Sequence, residues 1–164
     1  MALERIDDEA KSPPGILCLL TTQSGDHLLS QHDLASERKL NPGLPLIYVE
    51  SNRRFQTVEG FGGAFTEAAA VTWHKLSPTR RQEVLNNYFD TEQGHGYTLC
   101  RVHMNSCDFS LGNYAHVETP GDVDLSGFNI ERDKQALLPF IKAAQRVAKQ
   151  PIKLLVSPWS PPAW

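Results

Sequence analysis

From Phe55 onward the chain alternates strand and helix patterns, and each strand runs into a loop rich in glycine, acidic or aromatic residues. Phe55 to Gly60 predicts a strand entering a turn at Gly62–Gly63, and TEAAAVTWHKL predicts a helix from about Thr66. Ser77–Pro78 is a helix start, a capping hydroxyl followed by proline at the first helical position, where the missing N–H is harmless. Val84, Leu85, Tyr88 and Phe89 then form an apolar face, and Gly94 to Gly96 (GHG) close the helix before a second strand, Tyr97 to His103. Glu131 to Lys149 predicts a further helix with Leu137, Ile141, Ala144 and Ala148 on one face, and Pro139 must either kink it or mark its true start. Gln150–Pro151 ends this helix, and Lys153 to Val156 is the third strand. A β, α, β, α, β order with helix-bearing links implies a parallel sheet covered by helices.

Residues 1–54 read differently. Gly15 to Thr22 and Leu46 to Val49 are strand candidates, separated by a polar stretch from Ser30 to Lys39, with turn chemistry at Asn41 to Pro45. No sustained helical period appears, so this region is expected to be a β-rich lead-in, distinct from a second region at 55–164.

Composition excludes several function classes. A net charge of −3 with no basic stripe argues against nucleic acid as a partner. The longest run of aliphatic and cysteine residues, Ile16 to Leu20, falls far short of the ~20 residues of a membrane span. The acidic start MALERIDDEAK has no signal-peptide core, and three cysteines in 164 residues fit reduced thiols, so the expected location is cytoplasmic.

The three strands run into FGGAFTEA, MNSCDFSLGNY and SPWSPPAW. Parallel α/β sheets and barrels build their sites at these carboxyl ends. No GxGxxG or Walker-type loop follows any strand, which lowers the case for a nucleotide. Acids with neighbouring aromatics suit a sugar: ring faces cover its C–H patches and carboxylates fix its hydroxyls.

Taken together, FQTVEGFGGAFTEAAA, GYTLCRVHMNSCDFSLGNY and LLVSPWSPPAW resemble glycoside hydrolase family 30, the family of the acid β-glucosidases (glucosylceramidases). The resemblance runs from about Phe55 to Trp164 in order and spacing. It implies a (β/α)8 TIM barrel, of which this chain would hold about the first three strands, and an attached β-rich side domain to which residues 1–54 would contribute. A complete barrel takes roughly 250 residues. The resemblance places the acid/base glutamate after the fourth strand and the nucleophilic glutamate after the seventh, both beyond Trp164. The chain is therefore expected to be the N-terminal piece of a retaining β-glycosidase, inactive alone, with no cofactor and no metal. Its substrate would be a β-linked glucoside or a glucosylceramide-like lipid.

By this resemblance Asp108 binds hydroxyls of the sugar before the scissile bond, although without it an Asx turn is the plainer reading. Trp159 would line the same subsite and Trp164 would wall the cleft. Arg101 shares a strand face with Leu99 and His103. An arginine pointing into a barrel needs an anion, which the resemblance places near the nucleophile. His103 reads as a rim residue. Glu67 and Asp108 could approach the ~5–5.5 Å of a retaining pair. Yet an acid in a first helical turn is favoured by the helix dipole in any protein, so Glu67 is read as structural. Cys100 and His103, three apart on a strand, face opposite sides and make a poor metal pair. The readings from another class are a non-catalytic carbohydrate-binding module, or half of a split barrel completed by a second chain.

Overall fold

The computed structural model describes residues 16–27, 30–34, 43, 45, 47–48, 50 and 52–164. The chain divides into two compact units, Met1–Arg54 and Phe55–Trp164.

In the first unit, β1 (Ile16–Leu20) pairs antiparallel with β2 (Ser30–Leu34), with Ile16 opposite Leu34 and Leu20 opposite Ser30. The polar stretch expected to separate strands thus supplies one. Its sequence, SQHDL, has no run of apolar residues. The turn between the strands sets the pairing: the Thr22 and Gly25 N–H groups donate to His27 O and Thr22 O at 2.9 and 3.1 Å. Of the second strand candidate, Ile47 and Tyr48 are described and lie outside any strand; Leu46 and Val49 lie outside the described residues, as do residues 35–39 and the turn at Asn41 to Pro45 apart from Gly43 and Pro45.

The second unit is built on a parallel sheet of β3 (Ala64–Phe65), β4 (Leu99–Met104) and β5 (Lys153–Pro158), in that order. Ala64 aligns with Arg101, and Arg101 with Leu155. The sheet is open. Between β3 and β4 come α1 (Glu67–Lys75) and α2 (Pro78–Phe89); between β4 and β5 come α3 (Glu131–Gln135) and α4 (Leu137–Val147).

The first strand of this sheet lies later than Phe55 to Gly60. Its glycines do not form the turn; they run beside β4. Phe61 O accepts from the Thr98 and Leu99 N–H groups at 2.9 and 3.1 Å, and Gly63 O from Arg101 N–H at 3.0 Å. A Cβ on Gly62 would stand 1.9 Å from Leu99 O, so the glycine marks a close backbone approach. The chain turns into α1 at Thr66, whose hydroxyl accepts from Ala69 N–H at 3.1 Å. Ser77 caps α2 in the same way, with Pro78 in its first turn.

The helix expected over Glu131 to Lys149 breaks at Ala136, where φ is −138° and ψ −49°. Pro139 then sits in the first turn of α4, where a proline costs no intrahelical hydrogen bond. Leu137, Phe140, Ala143 and Ala144 face inward, a spacing of three, three and one that fits the 3.6-residue period. Phe65 lies between Phe89, stacked at 5.5 Å, and Phe140, edge-on at 5.4 Å, and Trp73 closes the cluster 5.1 Å from Phe140. Burying one such aromatic contributes roughly 1.5–3 kcal/mol. Cys100 joins this core from β4, while Leu99 and Arg101 stand exposed on the opposite face. The carboxyl ends of all three strands therefore open at one edge.

Candidate functional site

Arg101 projects from the exposed face of β4, and its guanidinium lies 4.7 Å from the centre of the Trp159 ring, just past β5. The parallel register explains the meeting: Arg101 pairs with Leu155, four residues before Trp159. The partner of this arginine is thus an aromatic face, an interaction worth about 0.5–2 kcal/mol. Trp159 keeps 42% of its surface accessible beside this contact.

Asp108 sits on the loop after β4, in a turn closed by Ser110 N–H to Cys107 O at 2.9 Å and Cys107 N–H to Ser110 Oγ at 3.0 Å. Ser110, and not Asp108, does the work of a turn residue. The Asp108 carboxylate is exposed and takes part in no hydrogen bond or ion pair among the described residues. Trp164 docks on the end of the same loop, its indole N–H donating to Val117 O at 3.1 Å.

The loops after β4 and β5 are bound to each other. Trp159 N–H donates to Met104 O at 3.2 Å, Asn105 Nδ2 to Ser160 O at 2.6 Å, and Ser160 Oγ to Ser106 O at 2.7 Å. His103, expected at the rim, is buried, with Nδ1 2.6 Å from Asn105 O. A carbonyl only accepts, so Nδ1 carries the proton.

Beneath the loop lies a chain of charged and polar groups. Glu67 is buried and takes both guanidinium arms of Arg132, Nε to Oε1 at 2.7 Å and Nη2 to Oε2 at 3.0 Å, while Leu111 N–H donates to Oε2 at 2.7 Å. Arg132 hydrogen bonding holds the Glu67 carboxyl below the ordinary range, against the opposing effect of burial. The Arg132 guanidinium lies 4.2 Å from the Tyr114 ring centre. Tyr114 OH donates to Asp133 Oδ1 at 2.8 Å, and His116 Nε2 lies 2.7 Å from Asp133 Oδ2. Burial, then the hydrogen bond to the Asp133 carboxylate, pushes the Tyr114 phenol well above its usual range. Burial likewise raises the Cys100 thiol, which stays protonated in the core. Among the described residues no three His, Cys, Asp or Glu side chains gather as a metal-binding group.

The structure thus brings Arg101 and Trp159 into contact, ties the Asp108 loop to the Trp159 loop, and seats Trp164 against Val117. Sequence reasoning missed Asn105 and Ser160, and missed the role of Tyr114, His116, Arg132 and Asp133. An asparagine directly after a strand was a usable signal, since asparagine tolerates the left-handed conformation that Asn105 adopts at φ 60°. The pairing of His116 with Asp133 had none, because only the tertiary fold brings them together.

Residues 58–164 match the glycosyl hydrolase family 30 TIM-barrel domain. The lysosomal acid glucosylceramidase of Mus musculus is 41% identical over 120 residues, covering 73% of this chain and 23% of that protein. The endo-1,6-β-D-glucanase neg1 of Aspergillus fumigatus is 34% identical over 112 residues, 66% of this chain and 22% of the relative. Among solved structures, SrfJ from Salmonella typhimurium superposes with a TM-score of 0.71 at 38% identity, covering 82% of this chain and 30% of that one. The chain spans about a quarter of the length of the curated relatives it matches, 23% for the mouse enzyme. The mouse relative is named lysosomal, so these relatives lend the cytoplasmic expectation no support. No helix of the described residues is long and apolar enough to cross a membrane.

Proposed function

This chain belongs to glycoside hydrolase family 30, and from that premise we propose that it supplies part of the sugar subsite of a retaining β-glycosidase. Its substrate is a β-linked glucoside, of the oligosaccharide or glucosylceramide kind that the relatives' names carry. One observation carries the reading. The Trp159 ring, backed by Arg101, and the unpaired carboxylate of Asp108 stand on two loops bound together at the carboxyl edge of a parallel sheet.

The chemistry divides accordingly. Trp159 covers the C–H face of the pyranose, Asp108 accepts hydrogen bonds from its hydroxyls, and Trp164 walls the cleft. Arg101 keeps positive potential beneath the ring, where negative charge on a nucleophilic carboxylate is offset. The reaction is double displacement through a glycosyl-enzyme intermediate, with two carboxyls ~5–5.5 Å apart. We assign neither carboxyl to this chain. Glu67 is engaged by Arg132 and the Leu111 N–H, and with its pKa held low it cannot serve as a proton donor near neutral pH. The acid/base and nucleophilic glutamates belong to later barrel strands.

Release of fluorophore from an aryl β-glucoside tests the reading. The 164-residue chain is expected to give no turnover. In the full-length hydrolase, Asp108→Ala is expected to lower kcat/KM about 100-fold, the loss of charged hydrogen bonds worth about 3 kcal/mol. An unaffected Asp108→Ala enzyme would overturn the subsite. Turnover by the 164 residues alone, abolished by Glu67→Gln or Asp108→Asn, would transfer the chemistry to those two acids.

A further inference from the structure

The geometry points to Asn105 as a positioning residue: a clasp that fixes the Asp108 loop against the Trp159 loop and so sets the shape of the sugar subsite. The inference rests on the subsite reading of Asp108 and Trp159.

Asn105 is the first residue after β4, three before Asp108, and it holds the left-handed conformation at φ 60°. That conformation reverses the chain at the strand end, and asparagine is among the few side chains that accept it. Both ends of its amide are used. Nδ2 donates to Ser160 O at 2.6 Å, next to Trp159, and Oδ1 accepts from His116 N–H at 2.9 Å, on the far side of the Asp108 loop. These partners fix the amide orientation, since a carbonyl can only accept and a backbone N–H only donate. The backbone is held as well: Asn105 O accepts a hydrogen bond from His103 Nδ1–H at 2.6 Å.

The surrounding bonds reinforce the same junction. Ser160 Oγ donates to Ser106 O at 2.7 Å, and Ser106 N–H donates to Tyr114 O at 3.0 Å. Residues 105–116 therefore form a loop whose two ends meet at one asparagine side chain, with Asp108 at its exposed tip. The side chain spans three segments: the strand end, the loop's return and the segment carrying Trp159. Only a side chain that donates and accepts, on a backbone free to turn left-handed, fills this position.

Glycine and aspartate separate the parts of the claim. Glycine keeps the turn and loses both side-chain bonds. Aspartate keeps the bond from His116 and places an oxygen against Ser160 O. In the 164-residue chain, hydrogen exchange reads the clasp without reference to any sugar. Asn105→Gly should speed exchange of the His116 amide about tenfold or more and leave Val102 unchanged, whereas Asn105→Asp should retain the His116 protection. In the full-length hydrolase, Asn105→Gly and Asn105→Asp should each raise KM for an aryl β-glucoside about tenfold with a smaller change in kcat.

Loss of folded enzyme alone would lower kcat and leave KM in place, and that result would overturn the positioning role. Unchanged His116 exchange in Asn105→Gly would overturn the clasp itself. Asp108→Ala is measured alongside. If it is silent the subsite reading fails, and if it is impaired while both Asn105 variants keep the wild-type KM, the positioning inference alone fails.

Discussion

Arg132 grips Glu67 through two nitrogens and lies over the ring of Tyr114, so a single guanidinium serves a buried acid and a half-buried aromatic ring whose hydroxyl bonds to Asp133. Bidentate pairing with a backbone N–H on the same carboxylate is the arrangement in which a buried anion is tolerated. Because Glu67 titrates lower in the folded chain than its ordinary value of 4.5, the pair contributes stability that is present above that pH and lost as pH falls through the folded pKa. Wild-type melting temperature should therefore drop on acidification below about pH 4.5, more steeply than that of Glu67→Gln. The glutamine variant should itself be about 1–2 kcal/mol less stable at neutral pH, since Arg132 is a third exposed and partly screened by water. Equal acid slopes for the two proteins would show that the pair carries no stability. The structural reading of Glu67 was legible from its place in the first turn of a helix, where an acid is common. Its partner was not: Arg132 lies 65 residues away, and no local pattern joins them. The same limit applies to Arg101. Alternation along β4 gave its face, but the residue above it depends on the register of β5, which only the folded sheet defines.

The approach of β3 to β4 depends on an absent side chain. An alanine Cβ at position 62 would press 1.9 Å from Leu99 O and 2.6 Å from Leu99 C, backbone atoms that cannot yield without moving the strand. Gly62→Ala is expected to cost about 3 kcal/mol in unfolding free energy, measured by denaturant titration, because backbone must shift to admit it. By contrast Thr66→Ala, which removes one cap, should cost about 1 kcal/mol. A Gly62→Ala chain as stable as wild type would mean that the segment leading into β3 does not run along β4 at this distance. Elements with strong periodicity were readable. The face of α4 is read from Leu137, Ile141, Ala144 and Ala148, of which Leu137, Ala144 and Ala148 are buried and Ile141 packs partly buried against the core, and α2 announces itself with Ser77–Pro78. Where side-chain pattern and backbone role diverge, reading fails. Gly62 and Gly63 resemble a turn yet line a strand, and the polar SQHDL forms β2 because its hairpin turn, not its hydrophobicity, sets the pairing.

At the scale of the second unit, the three-strand sheet has two edges, β3 and β5, and an exposed face that carries large apolar side chains. Leu155 is 63% exposed there, on the same face as Leu99 and Arg101 of β4. A closed barrel abolishes such edges and fills its interior with the residues that point inward. The same side chains exposed on this open sheet are thus the ones a complete barrel would bury, and the outer edge of β5, without a strand partner among the described residues, presents a template for further strands. The 164-residue chain is accordingly expected to self-associate, its sedimentation coefficient rising over about two decades of protein concentration. Leu155→Lys, which places a charge on the open face beside Arg101, its neighbour across the sheet, should shift the chain toward monomer. A second chain bearing the remaining strands should instead convert the mixture into one stoichiometric complex, restoring turnover if the catalytic glutamates arrive with it. A monomer at every concentration, unchanged by Leu155→Lys, would mean that this face is satisfied without further strands. The family's barrel would then be the wrong frame for how these residues are used, and a self-contained sugar-binding module the better one.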